Sequence, residues 1–162
     1  MIKNFKILFL GGLMALSVVA CKKGDDGGDS PKVGSGGSMS AKVDGKSWSA
    51  GLAVQAIKTN GVLAIGGTGN GGQININLLD YSKPGTFDLG GSPTNGNHAI
   101  YTVVSLPPTV YSNMVGQGSG TVTIKSDDGN YIEGTFSFTA KNAAGGGTQV
   151  SVTDGKFKAK LQ

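Results

Sequence analysis

The sequence predicts an all-β domain over residues 39–162, an antiparallel β-sandwich or flattened barrel of about eight to ten strands. Three observations predict this fold class. Polar and apolar residues alternate over several segments, Asp-Gly and Asn-Gly pairs stand between segments, and no window of helical length carries an apolar stripe after the first 20 residues. Glycine, with 29 residues, suits many short strands joined by tight turns.

The alternating segments give the predicted strands. The clearest covers residues 131–141, and its apolar side chains fall on one face: Ile132, Phe136, Phe138 and Ala140. A period of two residues indicates a half-buried antiparallel strand. Further strands are predicted at residues 73–78, 86–89, 99–106 and 121–125, and Pro107-Pro108 ends the third of these.

Turn dipeptides set the expected pairing of the strands. Asp44-Gly45 and Asn60-Gly61 predict two-residue type I′ hairpins. Asp154-Gly155 allows two interpretations, a hairpin that sets Val152 opposite Phe157 or a bulge within one long strand.

A three-residue loop is predicted at residues 127–129, with Gly129 in the left-handed conformation. This loop pairs Ile124 with Ile132 on the core side and Thr123 with Glu133 in water. A slip of one residue would bury the Glu133 carboxylate, which costs several kcal/mol when it is unpaired.

The first 20 residues predict a lipoprotein signal peptide. Lys3 and Lys6 precede an apolar run at residues 7–20, which is shorter than the about 20 residues of a membrane-spanning helix. Val18-Val19-Ala20-Cys21 has the pattern of a lipobox, with cleavage between Ala20 and Cys21. Lipidation of Cys21 accounts for a single cysteine in an exported chain and makes the membrane a partner.

Residues 21–38 predict a flexible tether of Gly, Ser, Asp and Lys, because this segment has almost nothing apolar to bury. Its span is about 23 Å as a coil and about 60 Å when stretched. Asp25-Asp26 resembles the acidic export signal that carries lipoproteins of Bacteroidota-type bacteria to the outer face. The expected location is the outer membrane of a Gram-negative bacterium, with the choice of face left open.

Four segments carry a family resemblance. They are AKVDGKSW at residues 41–48, GTVTI at 120–124, GTFSFTA at 134–140 and TDGKF at 153–157. In this order they resemble a group of uncharacterised small lipoproteins of Bacteroidota, over most of residues 40–161. The resemblance implies an all-β lipoprotein domain of unknown function, and it carries over no catalytic residue.

Several function classes are excluded by what the chain contains. Without the signal peptide the chain has 12 Lys, no Arg and ten acidic residues, so nucleic acid is not an expected partner. His98 is the only histidine and Glu133 the only glutamate, so no enzyme, metal site or cofactor is expected. The GxGxxG at residues 67–72 precedes a strand rather than a helix, and residues 127–130 lack the spacing of a calcium loop.

The aromatic residues remain as candidates for contact with a ligand. Trp48 shares a face with Ala41 and Val43, which predicts core packing. Each tyrosine either lines a ligand patch or caps the sheet with its hydroxyl in water. The sequence leaves both interpretations open for Tyr81, Tyr101, Tyr111 and Tyr131. The expected function is a non-catalytic binding module for a glycan, peptide or partner protein. The alternative is a structural or accessory envelope lipoprotein that docks to a larger outer-membrane complex.

Lipidation at Cys21 is directly testable. We expect Cys21→Ala to release the protein from membranes or to leave it unprocessed, because the acyl chains need the thiol. Membrane fractionation measures the release, and mass spectrometry of the mature protein identifies the modification. An unmodified Cys21 in the mature protein would contradict the lipobox.

Overall fold

The computed structural model describes residues 36–162, and the fold of this range is all-β, as predicted. The signal peptide, the cleavage between Ala20 and Cys21, the lipidation of Cys21 and residues 21–35 of the tether lie outside the described residues. The strands are β1 Gly37–Val43, β2 Lys46–Thr59, β3 Val62–Gly69, β4 Gly72–Leu78, β5 Gly85–Gly90, β6 His98–Val103, β7 Thr109–Ser112, β8 Ser119–Asp127, β9 Tyr131–Asn142 and β10 Gln149–Leu161. A 3₁₀ turn, Met114–Gly116, follows β7.

All ten strands belong to one sheet, and eight of them form a closed circuit of paired strands. The circuit runs β1–β2–β3–β4–β6–β7–β9–β10 and closes because β10 also pairs with β1. One edge of β9 pairs with both β7 and β8, so β8 and β5 branch from the circuit there. Pairing is antiparallel except for a short parallel contact between β10 and β2. The topology therefore corresponds to the flattened barrel rather than to two separate sheets.

One hydrophobic core fills the interior of this closed sheet. The faces predicted from alternation are confirmed, because Ile132, Phe136, Phe138 and Ala140 are buried. Trp48 is also in the core, with 5% of its surface exposed. The fully buried large side chains include Leu63, Ile65, Ile74, Ile76, Leu78, Leu89, Val122, Ile124 and Val152.

The first two turn predictions are confirmed. Asp44 and Gly45 have φ values of 49° and 78°, and Asn60 and Gly61 have φ values of 50° and 80°. Both pairs join adjacent strands through two-residue loops, in which positive φ at both positions is the type I′ geometry.

The hairpin interpretation of Asp154-Gly155 is wrong, and the bulge interpretation is right. β10 is continuous from Gln149 to Leu161, and the register shifts between Val152 and Gly155. Val152 pairs with Phe138 of β9 rather than facing Phe157. A Cβ at Gly155 would lie 2.6 Å from the Phe136 ring, so a glycine is needed where this ring covers the bulge.

The predicted register between β8 and β9 is also wrong, although the predicted faces are right. Ile124 pairs with Gly134 and Thr123 with Thr135, while Glu133 pairs with Ser126. The cause is a bulge between Ile124 and Ser126, which the alternation pattern did not reveal. The connecting loop keeps the predicted three residues but lies one position later, at residues 128–130, and Gly129 has the predicted positive φ, at 82°. The Asp128 carboxylate accepts hydrogen bonds from the backbone N–H groups of Asn130 and Tyr131.

The β8 bulge turns Asp127 inward at the end of the sheet. Its carboxylate oxygen Oδ2 lies 2.8 Å from the Lys58 ammonium and 3.2 Å from the Tyr81 hydroxyl, with 9% of the side chain exposed. The hydrogen bond from Lys58 holds the pKa of the Asp127 carboxyl below its usual value. Burial, followed by the Asp127 charge, raises the pKa of Tyr81 to about 12.

Three further boundaries differ from the sequence expectations. β1 begins at Gly37, inside the predicted tether, because the Ser38 side chain is buried against β10. The strand expected at 99–106 ends at Val103, and β7 was not predicted. Asn113, after β7, is fully buried, and its Oδ1 accepts a hydrogen bond from the Ala99 backbone at 2.8 Å.

We expect Phe136→Ala to lower the free energy of unfolding by about 3–5 kcal/mol, because it leaves a cavity where two aromatic neighbours pack. The ring centroids of Phe138 and Phe157 lie 6.3 Å and 6.2 Å from that of Phe136. Denaturant unfolding measures the loss. Ser137→Ala, on the exposed side of the same strand, is the control and should change stability by less than about 0.5 kcal/mol.

We expect Asp127→Asn to be destabilising at neutral pH and to lose this effect in acid. The carboxylate has a lowered pKa in the folded chain, so it stabilises the fold above its unfolded pKa of about 3.9. That contribution disappears as the pH falls through the folded-state pKa. Denaturant unfolding of both proteins across this pH range measures the difference, and a difference that does not shrink in acid would contradict the Lys58–Asp127 interaction.

Candidate binding site: an aromatic cleft

A cleft of about 330 Å³ opens at one end of the rolled sheet. Its walls come from the β1–β2 hairpin, the β3–β4 hairpin and strands β6, β7 and β10. We call it the aromatic cleft, and its lining residues are Val43, Asp44, Lys46, Ser47, Trp48, Asn70, Tyr101, Val103, Tyr111 and Val150. Its volume lies at the small end of the range for ligand sites, about 300–1,000 Å³.

Glycines of the β3–β4 hairpin let the aromatic rings pack closely. A Cβ at Gly69 would lie 2.9 Å from the Trp48 ring, and a Cβ at Gly72 would lie 2.6 Å from the Tyr101 ring. The Trp48 indole N–H also donates to the Gly72 carbonyl at 3.3 Å. The glycine-rich segment at residues 67–72 therefore packs against Trp48 and Tyr101, and the strand that follows it, rather than a helix, is confirmed.

Two tyrosines form one wall of the aromatic cleft. Tyr101 and Tyr111 pair across β6 and β7, and their ring centroids lie 6.4 Å apart with an interplanar angle of 29°. Neither hydroxyl has a hydrogen-bond partner within residues 36–162, and neither is sealed from the surface. Burial, followed by the charges of Asp44 and Tyr111, raises the pKa of Tyr101, so its hydroxyl stays protonated and can donate.

Asp44 is fixed at the rim of the aromatic cleft by β10. Its Oδ1 accepts from the Ser151 backbone N–H at 2.8 Å, and its own N–H donates to the Ser151 carbonyl at 2.8 Å. Lys46 lies two residues away on the same hairpin, and neither side chain forms an ion pair within the described range. The rim therefore carries one charge of each sign, with no net charge.

The aromatic cleft offers hydrogen-bond donors and acceptors above an apolar floor. Two phenols, the Asn70 amide and the Asp44 carboxylate lie around three valines and the edge of Trp48. Such a set can hold an uncharged group that has hydroxyls and an apolar face. No histidine or cysteine is among its lining residues.

The remaining candidate residues lie elsewhere. His98 begins β6, where its ring nitrogens contact the Asn77 side chain at 3.2 Å and the Gly96 carbonyl at 2.9 Å. Tyr81 is buried beside Asp127, and Tyr131 lies beneath the Lys158 ammonium at 5.0 Å. In residues 36–162 no cluster of three or more metal-ligating side chains occurs.

Sequence reasoning nominated Tyr101 and Tyr111 but did not place them together, because the short strand β7 was missed. It also treated Asp44 only as a turn residue. The turn itself was the available signal, since a type I′ loop fixes where the Asp44 side chain points.

Two larger grooves have volumes of about 850 and 900 Å³. The first lies along β5, the β5–β6 loop, β8 and β9, and the second along β1, β2, β8, β9 and β10, with Trp48 among its lining residues. They share Thr121 and Ser137 and are lined mainly by small polar side chains. Both are open to water, and hydroxyl groups on an open strand face gain little by exchanging water for a ligand. The aromatic cleft is therefore the better candidate.

Residues 36–159 match the family described as Domain of unknown function (DUF6252). The chain belongs to the DUF6252 family. This confirms the expected membership of an uncharacterised domain family, and every residue that lines the aromatic cleft falls within the DUF6252 domain. No curated protein and no solved structure matches the chain. Within residues 36–162, no helix of this DUF6252 protein is long and apolar enough to cross a membrane.

Proposed function

We propose that this protein is an outer-membrane-anchored lipoprotein of a Gram-negative bacterium that acts as a non-catalytic binding module. The aromatic cleft is its ligand site. The observation that carries the proposal is the pair Tyr101 and Tyr111, whose hydroxyls lack protein partners in the described range and border a space of ligand size. The lipobox at Cys21 and the tether support the anchored location.

The direction of β1 supports the same function. β1 begins at Gly37 beside Ala159 and ends at Val43, which lines the aromatic cleft. A strand of this length spans about 20 Å, so the tether joins the domain at the end opposite the cleft. In a chain held at Cys21, the aromatic cleft would therefore lie at the end of the domain farther from the point of attachment.

Among the three expected ligand classes, the cleft favours a sugar residue of a glycan. The charges of Asp44 and Lys46 balance, which suits a neutral ligand, and the volume admits one or two sugar rings. A carboxylate, an amide and two phenols can pair with several sugar hydroxyls at once, while valines face the apolar side of the ring. A peptide or a partner protein would use fewer of these polar groups.

The alternative, an accessory lipoprotein that docks to a larger complex, has one observation in its favour. Val104 and Leu106, in the β6–β7 loop, have 72% and 101% of their surface exposed. The Val104 N–H donates to the Gly71 carbonyl, which places the loop beside the cleft rim. A partner protein would cover these side chains.

The test uses a glycan array of neutral oligosaccharides, followed by calorimetry with the strongest binder. We expect Tyr111→Ala and Asp44→Asn each to weaken binding by about tenfold or more, because the first removes a phenol and the second replaces a charged acceptor oxygen with an amide donor. Tyr131→Ala is the matched control, since Tyr131 lies outside the cleft and should leave affinity unchanged. Binding that is equal in all four proteins would reject the aromatic cleft as the site.

A further inference from the structure

The outer face of β2, β3, β4 and β6 carries no charged side chain. Three rows of paired residues cross it: Leu52–Thr68–Gln73–Thr102, Gln55–Gly66–Asn75–Ile100 and Ile57–Ala64–Asn77–His98. We call these twelve residues the uncharged face. They include aliphatic, amide, hydroxyl and glycine residues and one histidine, but no Asp, Glu, Lys or Arg.

The outer surface of the adjoining strand β10, which pairs with β2 at Lys160 and Gln55, is different. On β10 the side chains of Lys156, Lys158 and Lys160 alternate with buried residues, and Glu133 of β9 forms an ion pair with Lys158. Charged side chains cover solvated strand faces in most proteins, and their depletion distinguishes the cores of interfaces. The asymmetry marks the uncharged face as an interaction surface.

A projecting leucine stands at one edge of the uncharged face. Leu52 has 72% of its surface exposed and lies between two register shifts in the β2–β3 ladder. The next residue, Ala53, has a φ of 52°, which is unfavourable for a residue with a Cβ. Bulges of this kind redirect side chains, and here the result is an apolar side chain held out into water.

A depression lies on the same face, in the middle of the rows. Its volume is about 150 Å³, and its floor is formed where Ala64 and Gly66 replace larger side chains. Gln55, Ile57 and Asn75 surround it. A Cβ at Gly66 would lie 2.8 Å from the Asn75 amide oxygen, so the Asn75 side chain lies directly over Gly66. The space is sufficient for one aliphatic side chain.

We propose that two copies of this chain associate through the uncharged face, with Leu52 of each copy inserted into the depression of the other. A projection and a depression on one face are what a two-fold symmetric contact requires, because each copy supplies both. In such a contact the nearest β10 charge, Lys160 beside Gln55, lies at the rim of the face, and the twelve residues that meet carry no charge.

The size of the face suits a weak dimer. Four strands spaced by about 4.8 Å and three rows spaced by about 6.7 Å give a footprint of roughly 390 Å² per copy. A standard stable interface uses about 800 Å² per partner, so association at micromolar concentrations is expected rather than a permanent dimer. Anchoring many copies on one membrane would raise their effective concentration.

Disulfide cross-linking of the full-length chain tests the contact. Two differently tagged variants, Leu52→Cys and Ala64→Cys, are expressed together and oxidised in the cell envelope. We expect a cross-linked pair that carries both tags on a non-reducing gel. Leu52→Cys with Leu106→Cys is the matched control and should give no such pair, and the unmodified chain measures any background from Cys21. Absence of the Leu52–Ala64 product would overturn the proposed contact.

Sedimentation of the full-length chain in density-matched detergent gives a second readout. We expect a concentration-dependent dimer, weakened about 30-fold or more by Leu52→Asp, because the variant would place a carboxylate in an apolar depression. Leu106→Asp changes an exposed leucine outside the face and should leave the dimer unchanged. A monomer up to about 0.5 mM, or a dimer insensitive to Leu52→Asp, would overturn the proposal. Neither result bears on glycan binding in the aromatic cleft.

Discussion

Closure of the sheet depends on β10, the one strand that pairs with β1, β9 and the end of β2. Without those hydrogen bonds, β1 and β9 would each expose an unpaired edge, and the interior side chains would lose one wall. β10 pairs with both β1 and β9, and it contains a bulge at Asp154-Gly155, where the Phe136 ring covers the glycine. The bulge bends the strand enough to join the two sides of the sheet.

The β-bulges also determine which side chains are buried and which are exposed. The alternation of β8 would leave Asp127 on the outer face, but the bulge before it turns the carboxylate toward Lys58 and Tyr81. The bulges in β2 act in the opposite sense, since they leave Leu52 in water while Val54 and Ala56 remain buried. One extra residue thus exchanges the two faces of a strand, which no substitution within a regular strand can do.

The sequence allowed the strands, their buried faces and the type I′ hairpins to be predicted, because each depends on neighbours within a few residues. The pairing of β8 with β9 could not be predicted, because strict alternation over residues 121–125 gives no sign of a bulge at its end. β7 was missed because four half-buried residues after Pro108 show no alternation. The aromatic cleft could not be predicted without β7, because Tyr101 and Tyr111 come together only through the β6–β7 pairing.

The aromatic cleft and the uncharged face have different lining residues, although both use β2 and β6. The cause is the period of two in these strands: on β6, Tyr101 and Val103 serve the cleft, while Ile100 and Thr102 point to the outer face. A ligand in the cleft would contact inward side chains at the end of the sheet, and a second copy would contact outward ones along its side. Occupation of one surface therefore leaves the other accessible, so anchoring, self-association and ligand binding can operate together in a single small domain.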